Sequence, residues 1–243
     1  WQNLRGPDMG LKRLGNCTSM KRQHLARNPK RGVTRGMMRQ NTKVLNADAS
    51  GIATAAGLLS TGALVAFPTE TVYGLGADAC NGTAVASIFT AKNRPQFNPL
   101  IVHLATAEQA QSIVQWTDTA EKLASAFWPG PLTLVLPLRE GHRLSSLVTA
   151  GLNTVGLRVP ANATARRLLT AFGGPVAAPS ANLSGRISPT TAAHVSDGLS
   201  GKIAAILDDG PCSVAVASTT VGPSQGQQCL RTGAAVPREV CTW

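Results

Sequence analysis

A chain of 243 residues with 43% hydrophobic side chains can fill the core of one ordinary domain. Its longest apolar runs, such as 62–67 and 132–138, are far too short to cross a bilayer as a helix, so a soluble protein is expected. The net charge of +11 is concentrated at one end: residues 1–43 hold 11 Lys/Arg against Asp8, and residues 44–243 hold 12 Lys/Arg against 11 Asp/Glu.

This asymmetry predicts a basic, disordered extension over 1–43 and a near-neutral globular domain over 44–243. The extension is Arg-rich and almost free of acid, as mitochondrial and plastid transit peptides are, but it is poor in Ser. It lacks the apolar stretch of a secretory signal. A transit peptide and an unstructured or even untranslated extension are both open readings. The cysteines (Cys17, Cys80, Cys212, Cys229, Cys241) are odd in number and form no C-x-x-C. The histidines show no ligand spacing. Neither a disulfide framework nor a zinc site is expected, and reduced thiols in an intracellular protein are.

In chain order, ordered structure is predicted from Thr42. Residues 47–60 read as a helix with Asp48 or Ser50 as N-cap. Residues 63–67 read as a short strand stopped by Pro68. Helical spacing of Val85, Ile88 and Phe89 predicts a helix over 83–92. A strand follows at 100–104, then helices at 106–114 and 118–127. The Trp128-Pro-Gly-Pro131 turn leads to a strand at 132–138. Further elements are a strand at 154–159, a helix at 162–172 and a strand at 176–178. A helix is predicted at 189–199, with Ser188 as N-cap and Pro189 at its first position. Strands at 203–207, 214–221 and 229–231 complete the pattern. Strands interleaved with helices predict an α/β fold with a twisted, mixed, open sheet and flanking helices.

The densest chemistry lies in Phe67-Pro-Thr-Glu-Thr-Val-Tyr-Gly-Leu-Gly76 and Lys92-Asn-Arg94-Pro-Gln-Phe-Asn98. Hydroxyls, a carboxylate, glycines and two cations in this span suit a polyanion held beside a small polar molecule. No P-loop, dinucleotide fingerprint or nucleophile elbow is present. Lys92 and Arg94 straddle a predicted helix exit, where they either complement the helix dipole or enter a phosphate loop. Arg158 interrupts an apolar strand and needs an anion, either a substrate carboxylate or an acid such as Asp78. Ser180 and Asn182 follow a strand end, where α/β folds place ligands. His103 in an apolar strand reads first as a core histidine, and Tyr73 as a core or edge tyrosine.

Taken together, these segments resemble the threonylcarbamoyl-AMP synthase, or YrdC-type, family. The matching residues are Phe67–Gly76, Ala91-Lys-Asn-Arg-Pro95, Asn98-Pro-Leu-Ile-Val-His103, Trp128-Pro-Gly-Pro-Leu-Thr133, Thr149-Ala-Gly-Leu152, Thr154–Pro160, Ala178-Pro-Ser-Ala-Asn182 and Ser218-Thr219. The similarity runs from about Asn46 to about Glu239, and its extent resembles the short single-domain form. It implies a YrdC-like fold around a large electropositive cavity. It also implies formation of threonylcarbamoyl-adenylate and pyrophosphate from L-threonine, bicarbonate and ATP, for threonylcarbamoyladenosine modification of tRNA.

By the same resemblance, Thr71, His103, Arg158, Ala178 and Ser218 contact threonine. Lys92, Arg94, Asn98, Thr154, Ser180, Asn182, Ser188 and Arg231 contact ATP, with Lys92 and Arg94 catalytic. Mg²⁺ rides on the phosphates, with no dedicated metal site in the protein. A threonylcarbamoyl transferase complex is the expected partner, with tRNA as a second candidate and no membrane. The expected location is the cytoplasm, or a mitochondrion or plastid if the extension is a transit peptide. Ala215 and Ala217 depart from the Gly and Glu frequent in the family. Two alternatives stand beside this reading: an RNA-binding module, and a maturation enzyme that forms carbamoyl-adenylate.

Overall fold

The computed structural model describes residues 41–95, 98–214, 218–222 and 228–231, the last four as backbone. Residues 1–40 of the basic extension, Ala215 and Ala217 lie outside the described residues, as does the Arg231 side chain, whereas Lys43, assigned to the extension from the sequence, opens a strand.

The strands are β1 (Lys43–Asn46), β2 (Val65–Phe67), β3 (Gly74–Asp78), β4 (Ile101–His103), β5 (Leu132–Pro137), β6 (Thr154–Arg158), β7 (Val176–Ala177), β8 (Ala205–Asp208), β9 (Thr219–Gly222) and β10 (Gln228–Arg231). The helices are α1 (Ala49–Ser60), α2 (Gly82–Lys92), α3 (Ala107–Gln111), α4 (Asp118–Phe127), α5 (Ser146–Thr149), α6 (Ala163–Phe172) and α7 (Ala192–Leu199). The strands join in one ten-stranded sheet, in the order β1-β8-β2-β3-β7-β4-β6-β5-β9-β10. Pairs β1–β8, β2–β8, β4–β6 and β5–β9 are parallel; β2–β3, β3–β7, β4–β7, β5–β6 and β9–β10 are antiparallel. The sheet is therefore mixed, as the irregular connections predicted.

Strand alternation divides the core in two. Ala66, Leu75, Ala77, Val102, Leu134 and Leu157 point to one face, under buried residues of α2, α4, α5 and α7. Val65, Phe67, Val176 and Leu207 point to the other, under Ile52 and Leu59 of α1 and Leu168 and Leu169 of α6. Burying each large apolar side chain contributes about 1.5–3 kcal/mol. The helices start where small polar side chains satisfy free N–H groups. Asp48 Oδ1 accepts from Gly51 N at 2.8 Å, and Asn162 Oδ1 from Ala165 N at 2.8 Å. Such caps contribute roughly 1 kcal/mol each.

Several predicted elements shift. Strand β3, within Gly-Leu-Gly-Ala-Asp, is not predicted, because two glycines weaken the strand signal. Packing requires them: a Cβ on Gly76 would stand 2.9 Å from Phe67 Cε1 and 3.0 Å from Val176 Cγ1. The edge strand β1 and the one-turn helix α5 are also additions. Helix α7 starts three residues later than predicted, with Thr191 rather than Ser188 as its cap. Thr191 Oγ1 accepts from His194 N at 3.3 Å, and the Pro189 carbonyl accepts from Tyr73 N at 2.8 Å. Pro189 thus belongs to a loop bonded to the sheet, and Ser188 is released from capping. In place of the strand predicted over 214–221, β9 spans only Thr219–Gly222. Among the described residues, Cys80 and Cys212 are free cysteines.

Candidate active site

Beside α1 and α6, part of the second sheet face is left uncovered by the described residues and forms the floor of a cavity of about 320 Å³. Thr69, Thr71, Gly74, Arg94, Ile101, His103, Arg158, Ala178, Ser180, Ser188 and Ser218 line it. The two-residue strand period explains this convergence. His103 pairs with Arg158 and Ile101 with Gly156, so these side chains share one face. Ala178 N bonds Ile101 O at 2.9 Å, which brings the end of β7 alongside.

One end of the cavity is built on Arg158, which is only 4% exposed. Its partner is Glu70 and not Asp78: Nη2 lies 2.6 Å from Glu70 Oε1. Nη2 also donates to Thr71 Oγ1 at 3.2 Å, and Nε to the Gly130 carbonyl at 3.3 Å. Proton counting fixes the neighbouring hydroxyls. Thr69 Oγ1 donates to the Val72 carbonyl at 2.7 Å, so its single proton is spent. The 2.9 Å contact between Thr69 Oγ1 and Thr71 Oγ1 is therefore donated by Thr71. Thr71 Oγ1 accepts from Arg158 with one lone pair and keeps the other for a ligand N–H. Across the cavity, Thr133 Oγ1 donates to Ser218 Oγ at 3.3 Å and leaves Ser218 its own proton.

His103 packs edge-on against Phe67, with ring centroids 6.0 Å apart. Burial, aided by the nearby Arg158 charge, drives its pKa down to about 3. The ring is neutral at physiological pH, and among the described residues its buried Nδ1 has no hydrogen-bond partner.

The other end is cationic. Helix α2 closes on Asn93 in the left-handed conformation (φ 51°), with Arg94 N bonded to Phe89 O at 2.9 Å. This turn sends Lys92 and Arg94 apart. Arg94 lines the cavity, and its Nη2 donates to the Pro99 carbonyl at 3.3 Å. Among the described residues its buried Nε has no partner, and burial lowers its pKa. Lys92 is 1% exposed and is not part of the cavity wall. Its ammonium donates to the carbonyls of Ser180 and Asn182. Burial, with the Arg94 charge nearby, brings its pKa down to about 8. The turn that it holds is also pinned to β3, by Leu75 N to Pro179 O at 2.7 Å and Ala181 N to Tyr73 O at 2.8 Å.

The structure thus gathers Thr71, Arg94, His103, Arg158, Ala178, Ser180, Ser188 and Ser218 around one cavity. It does not place Lys92, Asn98, Asn182 or Thr154 on its wall. Asn98 is exposed. Asn182 turns its amide to the Leu183 and Arg186 carbonyls, at 2.8 and 2.7 Å. Thr154 shares a strand face with Arg158 but lies about 13 Å further along β6. Sequence reasoning missed Thr133, and left Glu70 without a role. Tyr73 is a core anchor: its hydroxyl donates to the Gly210 carbonyl at 2.7 Å, and burial raises its pKa.

The family described as Sua5_yciO_yrdC, telomere recombination, matches residues 57–233. The chain belongs to this family. The threonylcarbamoyl-AMP synthase of Pyrococcus abyssi is 47% identical over 186 residues, covering 76% of this chain and 54% of that protein. The threonylcarbamoyl-AMP synthase of Bacillus subtilis is 52% identical over 171 residues, covering 70% of this chain and 49% of that protein. The chain spans about half the length of these curated relatives. The structure of Pyrococcus abyssi Sua5 complexed with L-threonine superposes with a TM-score of 0.79 at 45% identity, covering 82% of this chain and 60% of that one. The YrdC-like α/β fold expected from the sequence is thereby established.

Proposed function

We propose that this chain is a nucleotidyltransferase that makes threonylcarbamoyl-adenylate and pyrophosphate from L-threonine, bicarbonate and ATP. The observation that carries the reading is one cavity with two chemistries. Arg158 and Thr71 form an end suited to an α-amino acid, and Arg94, Ser180 and Ser188 form an end suited to phosphate. The names of the relatives and the threonine complex of the Pyrococcus protein support the same reading.

Arg158 takes the threonine carboxylate and Thr71 accepts from the amine. Ser218, neutral His103 and the Ala178 backbone complete that end. The amine nitrogen adds to bicarbonate carbon and water leaves, giving a carbamate. A carbamate oxygen then attacks the α-phosphate, and pyrophosphate departs with the bonding electrons. No step requires a covalent intermediate on the protein. The protein contributes orientation and charge neutralisation, which together can supply many orders of magnitude in rate. Arg94 grips phosphate oxygens in the manner of a guanidinium fork. Lys92 acts from beneath, holding Ser180 and Asn182 in register. Thr154 and Asn98 are reserved for the parts of ATP beyond the cavity, and Arg231 is assigned to ATP by the family resemblance alone.

A divalent cation, carried on the triphosphate, would neutralise its charge. Among the described residues, no group of three His, Cys, Asp or Glu side chains gathers as a protein ligand set. The product is an activated acyl donor, so a separate transferase must pass its threonylcarbamoyl group to adenosine in tRNA. We place this activity in the cytoplasm, or in an organelle if residues 1–43 are a transit peptide, which N-terminal sequencing of the mature protein would decide. The test is pyrophosphate release by the full chain with ATP, threonine and bicarbonate. Turnover that ignores threonine, or no turnover, sinks the reading.

A further inference from the structure

Glu70 belongs to the densest motif of the chain, yet it neither lines the cavity nor figures among the substrate contacts above. It is 8% exposed, and every acceptor on it is engaged. Oε1 accepts from Arg158 Nη2 at 2.6 Å. Oε2 accepts from Ala161 N at 3.1 Å and Asn162 N at 3.4 Å. Its backbone oxygen accepts from Val214 N at 2.9 Å and Ser213 Oγ at 3.3 Å. One residue therefore joins the end of β6, the start of α6 and the segment that leads to Ser218.

The consequence for Arg158 follows from its five N–H donors. The Nε proton goes to Gly130, and the two Nη2 protons go to Glu70 and Thr71. The plane of the guanidinium is fixed, and Nη1 is the nitrogen left for a ligand. The charge of Arg158 is also matched by a carboxylate. An unpaired arginine would favour any anion, phosphate included. A paired arginine with one free edge and a hydroxyl acceptor beside it suits a zwitterion. We propose that Glu70 is the positioning residue for the amino-acid end of the cavity, fixing the plane of Arg158 and directing that end toward an α-amino acid rather than phosphate. This assignment rests on the threonine reading above.

The test is calorimetric titration of the full chain with L-threonine and, separately, with ATP. Glu70→Gln cannot replace the carboxylate, because one side of the amide puts an NH₂ against either Nη2 or the N–H groups of Ala161 and Asn162. Its threonine Kd is expected to rise about 10- to 100-fold, by analogy with the loss that removing an outer-shell partner causes at metal-ligand sites. Its ATP Kd should stay within about twofold of wild type. Glu70→Asp keeps the charge but withdraws it by one methylene, and should weaken threonine less while leaving ATP alone. It decides the matter if the Gln variant does not fold. A threonine Kd within about twofold of wild type in a folded variant, or equal losses for threonine and ATP, overturns the assignment. Wild-type protein that binds threonine without releasing pyrophosphate sinks the proposed reaction and leaves the binding comparison decisive. Wild-type protein that binds no threonine removes both.

Discussion

On one face of the sheet, Leu132, Leu134, Val155 and Leu157 are buried in a cluster shared with α2, α4 and α7. On the other face, the intervening positions of the same strands are Thr133, Gly156 and Arg158, and helices α1 and α6 pack over a different part of that face. The strands do not change character between the two; only the cover does. A charged or hydroxylated side chain on the covered face needs a partner there, as the Tyr73 hydroxyl has in the Gly210 carbonyl, or it costs about 1–3 kcal/mol or more. On the open face the same groups are usable, provided that each is held. Arg158 is held by Glu70, Thr71 by Thr69 and Ser218 by Thr133.

Adjacent residues 157 and 158 break this comparison most directly. Arg158→Ala leaves Glu70 buried without its cation, which costs about 3–5 kcal/mol. It should also lower threonine-dependent kcat/KM by at least about 10³-fold. Leu157→Ala empties a position on the covered face and should cost about 2–5 kcal/mol, with the KM for threonine unchanged at temperatures where the variant is folded. Melting curves and initial rates on both variants read this. A threonine KM that moves as far in Leu157→Ala as in Arg158→Ala would mean that the faces are not functionally separate.

The next contrast lies within one motif, between Lys92 and Arg94. Both should lose about 10²-fold or more in adenylate formation as alanine variants. Arg94 makes one long hydrogen bond and is half-buried, so Arg94→Ala should cost under about 1 kcal/mol of stability. Lys92 is 1% exposed and bonded to two carbonyls, so Lys92→Ala should cost several times more. Equal melting temperatures for the two variants would place Lys92 with the surface cations instead.

That contrast shows where the sequence was legible. Their helix, strands β2, β5 and β6, and the cap at Asp48 follow from periodicity and local chemistry, because those signals lie within a few residues. The split between Lys92 and Arg94 depends on the left-handed Asn93 and on a turn 90 residues away, which no window contains. Glu70 could not be paired with Arg158 for the same reason: 88 residues separate them. Ser188 was placed correctly in the chain but given a capping role, because Ser-Pro before an apolar run is a strong helix start; Thr191 competes for it and wins. Strand β3 was missed because its glycines answer to Phe67 and Val176, not to strand propensity.

Titration separates the two ends of the cavity more gently. Lys92, with its pKa at about 8, is charged in both native and unfolded chains at lower pH, where its burial penalty is at full size. Between about pH 8 and its ordinary value of 10.5, only the unfolded chain keeps the proton, so its contribution to stability rises with pH through that window. Rates under subsaturating ATP should fall over the same range as the ammonium loses its charge. His103 contributes with the same sign at the acid side. Its native pKa of about 3 lies below the ordinary 6.5, so the unfolded chain binds the proton first, and stability falls as pH drops through that window. Lys92→Met should flatten the alkaline slope of melting temperature, and His103→Gln the acid slope. A slope that survives either change belongs to another group.

The smallest expected effect tests whether the open face works through supporting hydroxyls as well as through Glu70. Thr133 is fully buried, and among the described residues its hydroxyl bonds Ser218 Oγ at 3.3 Å. Thr133→Val preserves the shape and removes that donor. A hydrogen bond of this kind contributes about 0.5–1.5 kcal/mol, so the threonine KM should rise roughly twofold to tenfold, with ATP KM constant. Thr133→Ser restores the donor while deleting the methyl group that packs beside Gly156, so it should recover the KM but melt earlier. The two variants pull apart what the wild-type residue combines. If Val leaves the KM unchanged and Ser raises it, packing rather than the hydroxyl sets Ser218, and Thr133 belongs in function with the covered face.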